Sequence, residues 1–423
     1  MRVLTAILCV VTAAAAPKPV ALRCGALIDG KSATVARNVV VLVNGDRIEQ
    51  VGPNVAVPAG AEVVDLSRST CLPGLIDNHT HVLLQGDITA EDYDNQLLKQ
   101  SIPYRAIAAT AAARTALMNG FTTMRDLETE GAMYADVDVK TAIERGVIPG
   151  PRMFVATRAL APTGMYPLAG YSWELRMPEG VQIVDGVDGV IRAVREQVKY
   201  GADWIKFYSD RRYYVNEKGA LRSWVNFTPE EMKALVNESH RLGRKVAAHA
   251  MGRDGIEASL NAGVDTIEHG FGLDEEMMDV MVRRGVYWCP TLFVGVYVAE
   301  GRAAAGAPIW KAMVDLAAKA FALAVKKGVK ISYGTDAGGY SWSEPQAREF
   351  TYMVKYGMTP MLAIRASTSV AAELLGMQDK IGAVEAGKLA DIIAVDENPL
   401  QEVSALERVS FVMKGGVIYK RGR

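Results

Sequence analysis

Between residues 75 and 335, eight short apolar runs alternate with longer amphipathic stretches, and this alternation restricts the fold more than any other feature of the chain. The runs are 75–82, 121–127, 152–157, 204–208, 246–250, 266–269, 286–292 and 330–335. Short apolar runs separated by helix-length segments read as parallel strands with crossover helices, because a crossover returns the chain to the same end of the sheet. Eight such units are what an α/β (β/α)8 TIM barrel requires. A doubly wound sheet is the other α/β solution, but no Gly-rich phosphate fingerprint follows any of the strands.

Both ends of the chain read differently. Val39–Val43 and Arg47–Val51 flank Asn44-Gly45, a strong hairpin signal, and Val409–Met413 and Val417–Tyr419 flank Gly415-Gly416 in the same manner. Two β-rich ends around an alternating middle predict a small β-sandwich domain built from both termini. The expected division is 17–72 and 379–423 for that domain and 73–378 for the barrel. A chain of 423 residues with 50% hydrophobic content can fill both cores.

The first residues, MRVLTAILCVVTAAAAPKP, place one arginine before an apolar run ending in alanines at A-x-A spacing. This reads as a signal peptide over 1–16, and therefore as export to a periplasm or beyond, with no stable membrane span after cleavage. Cys9 falls in that segment, leaving Cys24, Cys71 and Cys289. Three cysteines without C-x-x-C spacing argue against a disulfide framework and a thiolate zinc site, so they are expected to be buried or spare. Basic and acidic residues nearly cancel, 47 against 48, and no cationic stripe appears, which disfavours nucleic acid as a partner.

Four of the five histidines fall at the ends of expected strands. His79 and His81 form an H-x-H whose period-two geometry turns both imidazoles to one side. His249 and His269 close the fifth and sixth strands, Asp336 closes the eighth, and Lys206 ends the hydrophobic part of 202–206 at the fourth. In a barrel enzyme polar residues at these positions face the active-site mouth. One strand-end histidine is commonly structural; four with an aspartate, in this order, read as a metal centre. A bare ammonium beside two cations is unfavourable, whereas a lysine carboxylated by CO₂ becomes an oxygen donor able to bridge them. His240 lies on a helical stretch over 230–242 and reads as solvated or capping.

Taken together, the LPGLIDNHTH, GADWIKFYS, AAHA, TIEHG and YGTDAGG segments and the return IGAVEAGKLADIIAV over 381–395 resemble the amidohydrolase superfamily. Within it the chain resembles the binuclear, Xaa-Pro dipeptidase-like and ochratoxinase-like branch. The resemblance implies that His79, His81 and Asp336 hold one metal and His249 and His269 a second, with carboxylated Lys206 bridging the pair. It implies two divalent ions, zinc first with manganese or cobalt also fitting, that activate a water between them. Asp336 would serve as general acid–base.

The chain departs from this branch after the third strand, where Pro162-Thr163-Gly164-Met165-Tyr166 replaces a Gly-Gly-His. Tyr166 is expected either to substitute as a hydrogen-bond donor or to line a larger, more apolar pocket. Arg211, Arg212 and Tyr213 follow the fourth strand and are candidates to grip a substrate carboxylate, unless they belong to a surface loop paired with Asp210. Trp288, Phe293 and Trp342 suit packing or pocket wall equally.

The expected substrate is a small molecule, a dipeptide or N-acyl amino acid with an apolar or aromatic C-terminal residue, ochratoxin A included. Cyclic-amide hydrolysis or deamination is the competing enzymatic reading, and Lys206 speaks against it because one-metal deaminases of the superfamily typically lack the bridge. An exported metal-containing binding protein is the reading from another class. A homo-oligomer is left open.

Overall fold

The computed structural model describes residues 18–422 apart from positions 167 and 169. The expected signal segment, with Cys9, lies outside the described residues.

The alternating middle forms eight parallel strands: β1 (Leu75–Thr80), β2 (Phe121–Asp126), β3 (Arg152–Val155), β4 (Trp204–Tyr208), β5 (Lys245–Ala250), β6 (Thr266–His269), β7 (Tyr287–Cys289) and β8 (Lys330–Ile331). Strands β1 to β3 pair in order, as do β4 to β8. Backbone hydrogen bonds join the two groups at both edges, from Asp203 N to Val155 O (2.8 Å) and from Asn78 N to Tyr333 O (3.0 Å) and Asp336 N to His79 O (2.7 Å). Strands β7 and β8 are shorter than expected, yet 332–336 stays bonded to β1 and keeps Asp336 in place.

The helix Pro229–Arg241 shows how the intervening segments form. Thr228 caps it with its side chain accepting from Glu231 N, Glu231 returns the bond, and Pro229 occupies the first turn, where no N–H is needed. Met232, Leu235, Val236 and Ser239 are buried at helical spacing. His240 is on the other face, 43% exposed and bonded to Asp265 (2.8 Å), as a solvated residue should be.

The termini build one seven-stranded sheet. Strands from the C-terminal end, Val417–Lys420, Val409–Lys414 and Ile392–Val395, continue directly into Glu62–Pro73, Val20–Leu27, Ala36–Asn44 and Arg47–Gly52. The two hairpin tips touch: Gly415 and Gly416 both have positive φ, and a Cβ on Gly416 would lie 2.0 Å from Gly45 O. The sheet's interior is Leu22, Val41, Ile392, Phe411 and Met413 with their neighbours.

Here the reading of the cysteines needs correction. Cys24 and Cys71 form a disulfide, with Cα atoms 5.9 Å apart, and only Cys289 is free among the described residues. The odd count misled because pairing depends on register: Val20–Leu27 runs parallel to Glu62–Pro73 across a bulge that brings the two positions together. Trp288, Phe293 and Trp342 are packing residues. The Trp288 indole donates to His269 O (2.8 Å), that of Trp342 to Leu84 O (3.0 Å), and Phe293 stacks on Tyr352.

No helix among the described residues is long and apolar enough to cross a membrane.

Candidate active site

A cleft of about 500 Å³ opens at the C-terminal ends of the parallel strands, and it is lined by His79, His81, Lys206, His249, His269 and Asp336 together. The four imidazoles form a contiguous group, with ring centroids 5.3 Å apart for His79–His81, 4.9 Å for His79–His269 and 4.5 Å for His249–His269. Asp336 Oδ1 lies 3.0 Å from His81 Nε2 and 3.5 Å from His79 Nε2. These three side chains bring their donor atoms within 4.8 Å of one another, an arrangement able to hold a metal ion.

Each histidine has one ring nitrogen tied down and the other turned to the cleft side. His79 Nδ1 is bonded to Glu268 (2.7 Å), His81 Nδ1 to Glu128 O (3.3 Å) and His269 Nδ1 to Thr291 Oγ1 (2.8 Å), which leaves Nε2 in all three. His249 is reversed: Nε2 is bonded to the Tyr213 hydroxyl (2.8 Å), leaving Nδ1. Such partners fix the ring orientation of metal-binding histidines. His79 Nε2 is buried and has no hydrogen-bond partner among the described residues, an atom a cation would satisfy.

The electrostatics fit the same chemistry. Burial, helped by the charge of Lys206, brings His79 down to about 4. Burial, with neighbouring positive groups, likewise holds His249 and His269 well below the usual imidazole range. Neutral imidazole is the metal-binding form. For His81 burial is outweighed by the bond and charge of Asp336, which push it up to about 9. Asp336 answers in kind; burial would raise it, but its bond to His81 and the charges of His81 and His79 hold it far below the carboxylate range.

Lys206 is 1% exposed and forms no salt bridge among the described residues, an expensive state for an ammonium. His269 and Asp336 hold left-handed backbone, φ 67° and 61°, at a cost on the order of 1–3 kcal/mol each.

Sequence reasoning missed the second layer. Glu268 bonds His79 with one oxygen and Arg125 with the other (2.8 Å), and all three are buried. Burial raises Glu268, but the Arg125 charge and the His79 bond prevail and hold it well below the usual range. The available signal was a charge inside an apolar strand: Arg125 in β2 and Glu268 in β6 must pair if both are buried.

The candidate substrate contacts separate. Residues 210–215 are not a loop but one strand of a hairpin with Leu221–Val225. Arg211, at an irregularity of that ladder, and Tyr213 line the cleft; Arg212, exposed like Arg211, does not. Asp210 does not pair with Arg211; it is buried and accepts from Met251 N (3.1 Å) and Gly252 N (2.9 Å). The Arg211 guanidinium lies 4.1 Å over the Tyr166 ring and 5.2 Å over that of Tyr208. Leu84, Phe271, Val294 and Val298 give the cleft an apolar lining as well.

Parallel strands carrying these histidines around one cleft define a hydrolase that acts on amide bonds. The chain belongs to the amidohydrolase family, whose model matches residues 70–419. It is 32% identical to the ochratoxinase of Aspergillus niger over 94% of this chain and 85% of that protein. Among solved structures it is similar to a Xaa-Pro dipeptidase with bound methionine (TM-score 0.86, 34% identity, covering 95% of this chain and 100% of the other). It is also similar to the crystal structure of A. niger ochratoxinase (TM-score 0.81, 29% identity, covering 96% of each).

Proposed function

We propose that this protein hydrolyses the amide bond of dipeptides or N-acyl amino acids with an apolar or aromatic C-terminal residue, ochratoxin A among them. The observation that carries the reading is the set of four histidines, each with one ring nitrogen anchored, converging with Asp336 and a buried lysine. His79, His81 and Asp336 would hold one divalent ion, His249 and His269 the other, and Lys206, carboxylated, would contribute to both. When bound, two such ions, zinc first, supply an acidified water and a polarised carbonyl.

The residues do the remainder. Asp336 accepts the proton of the attacking water and delivers it to the leaving nitrogen, a task its 17% exposed carboxylate at the cleft floor can perform. Arg211, braced on Tyr166, grips the substrate carboxylate with Tyr213 beside it. The apolar lining of Leu84, Phe271, Val294 and Val298 takes the side chain. The printed activities of the relatives, ochratoxinase and Xaa-Pro dipeptidase, support amide bonds of this kind.

The architecture belongs to the same reading: strands β1 to β8 as a closed (β/α)8 barrel over 73–378, with 17–72 and 379–423 folded into a sandwich around its own apolar core. Export is supported by the Cys24–Cys71 disulfide, a bond that persists in oxidising compartments. A library of dipeptides and N-acyl amino acids, assayed with zinc and bicarbonate, tests the function. Release of a C-terminal apolar amino acid is expected; inactivity across the library at full metal loading would refute it.

A further inference from the structure

Beside His81 the cleft holds charges that amide hydrolysis leaves unused. Glu130 lines the cleft, and its Oε2 accepts from the hydroxyls of Tyr93 (2.6 Å) and Tyr166 (2.9 Å). Glu128 is fully buried; Oε2 accepts from Tyr208 (2.6 Å), while Oε1 has no hydrogen-bond partner among the described residues. The two carboxylates and a His81 nitrogen lie within 4.8 Å of one another.

Two carboxylates this close, one with an unmet oxygen, are costly unless a proton or a cation serves them. Arg211 does not bridge them, since its guanidinium lies over the faces of Tyr166 and Tyr208, and the other positive groups that act on Glu128, Lys206 and His81, belong to the metal site proposed above. Glu130 is also held in place at some expense. Its backbone is left-handed (φ 47°), and its carbonyl accepts from the buried Arg105 (2.8 Å), which also binds Leu83 O and Thr129 O. The three tyrosine hydroxyls that donate to these carboxylates carry no charge, and a group with several N–H donors and a positive charge complements them.

We infer that Glu130, with Glu128 behind it, forms a cation subsite that receives an alkylammonium group of the substrate, an inference that rests on the amide-hydrolysis reading of the same cleft. The ammonium comes from one of two sources, the α-amine of an uncapped dipeptide or a lysine-type side chain. An α-amine source makes the protein a dipeptidase that discriminates against N-acyl amino acids.

The test compares Ala-Phe with N-acetyl-Ala-Phe, and N-acetyl-Ala-Lys with N-acetyl-Ala-norleucine, in the zinc-loaded wild-type enzyme and in Glu130→Gln, which keeps the shape and one acceptor oxygen. One pair is expected to favour its cationic member by at least about tenfold in kcat/KM, expressed in KM. The first pair marks the α-amine and the second the side chain. In Glu130→Gln that ratio collapses to within about twofold of unity. Absence of a preference in both pairs, or a preference that survives Glu130→Gln, overturns the subsite.

Calorimetric titration of the same peptides into the Asp336→Asn protein reads binding without turnover. A Glu130-dependent difference there, with no hydrolysis of any peptide by the wild type, would keep the subsite and sink the hydrolytic reading. Hydrolysis without that difference would do the reverse.

Discussion

In the seven-stranded terminal sheet the buried interior is Leu22, Val41, Ile392, Phe411 and Met413, closed by a disulfide. At the C-terminal ends of β1 to β8 the buried interior is instead His79, Glu268, Arg125, Lys206 and Glu128, with left-handed backbone at His269 and Asp336. The first region gains stability from apolar area and cross-linking; the second gives some up by burying charge. A chain can carry both because the costly groups sit on strands whose opposite ends lie in a continuous apolar core. Substitutions in the sheet should therefore move stability and spare chemistry, and substitutions at the strand ends should do the opposite.

The largest effect is expected at Asp336. Replacement by Asn should lower kcat by about 10²–10⁴-fold while the circular dichroism spectrum stays that of the wild type. Asparagine tolerates the left-handed backbone there, so folding is spared. Near-normal turnover by this variant would break the assignment of Asp336.

Removing the disulfide is the mirror experiment. Cys24→Ala with Cys71→Ala should cost about 2–4 kcal/mol in denaturant unfolding while kcat of the folded enzyme holds steady. If kcat fell as steeply as at Asp336, the two regions would not be separable.

The smallest of the three is Glu268→Gln, which leaves a hydrogen-bond partner for His79 but removes the charge facing it and Arg125. Metal affinity should weaken by about 10–100-fold, read by competition with a chelator. Unchanged affinity would demote Glu268 to a packing residue.

The same comparison explains what could be read in the sequence. Strands Trp204–Tyr208 and Thr266–His269 stand where the apolar runs place them, because a fully buried strand is apolar on both faces and ends where the polar mouth begins. The strand-end histidines were legible for that reason. Glu128, Glu130 and Glu268 were not, since nothing local distinguishes a buried carboxylate from a solvated one until its partners across the strands are known. Tyr166 was noticed only as a departure; its hydroxyl on Glu130 and its ring under Arg211 join segments far apart in the chain. The disulfide was hidden likewise, as the register of two parallel strands is set by tertiary packing and not by cysteine spacing. The hairpin tip at Gly45 shows the limit at short range: Asn44 pairs with Arg47, so the turn is Gly45-Asp46, one residue beyond the expected Asn44-Gly45.

The central claim is that six side chains at the strand ends hold two ions, and metal analysis of the folded protein tests it most directly. After loading with zinc in the presence of bicarbonate and removal of free metal, two ions per chain are expected, falling to fewer in Lys206→Ala. A full-length, folded protein that retains one ion or none, with Lys206→Ala indistinguishable from it, would contradict the account.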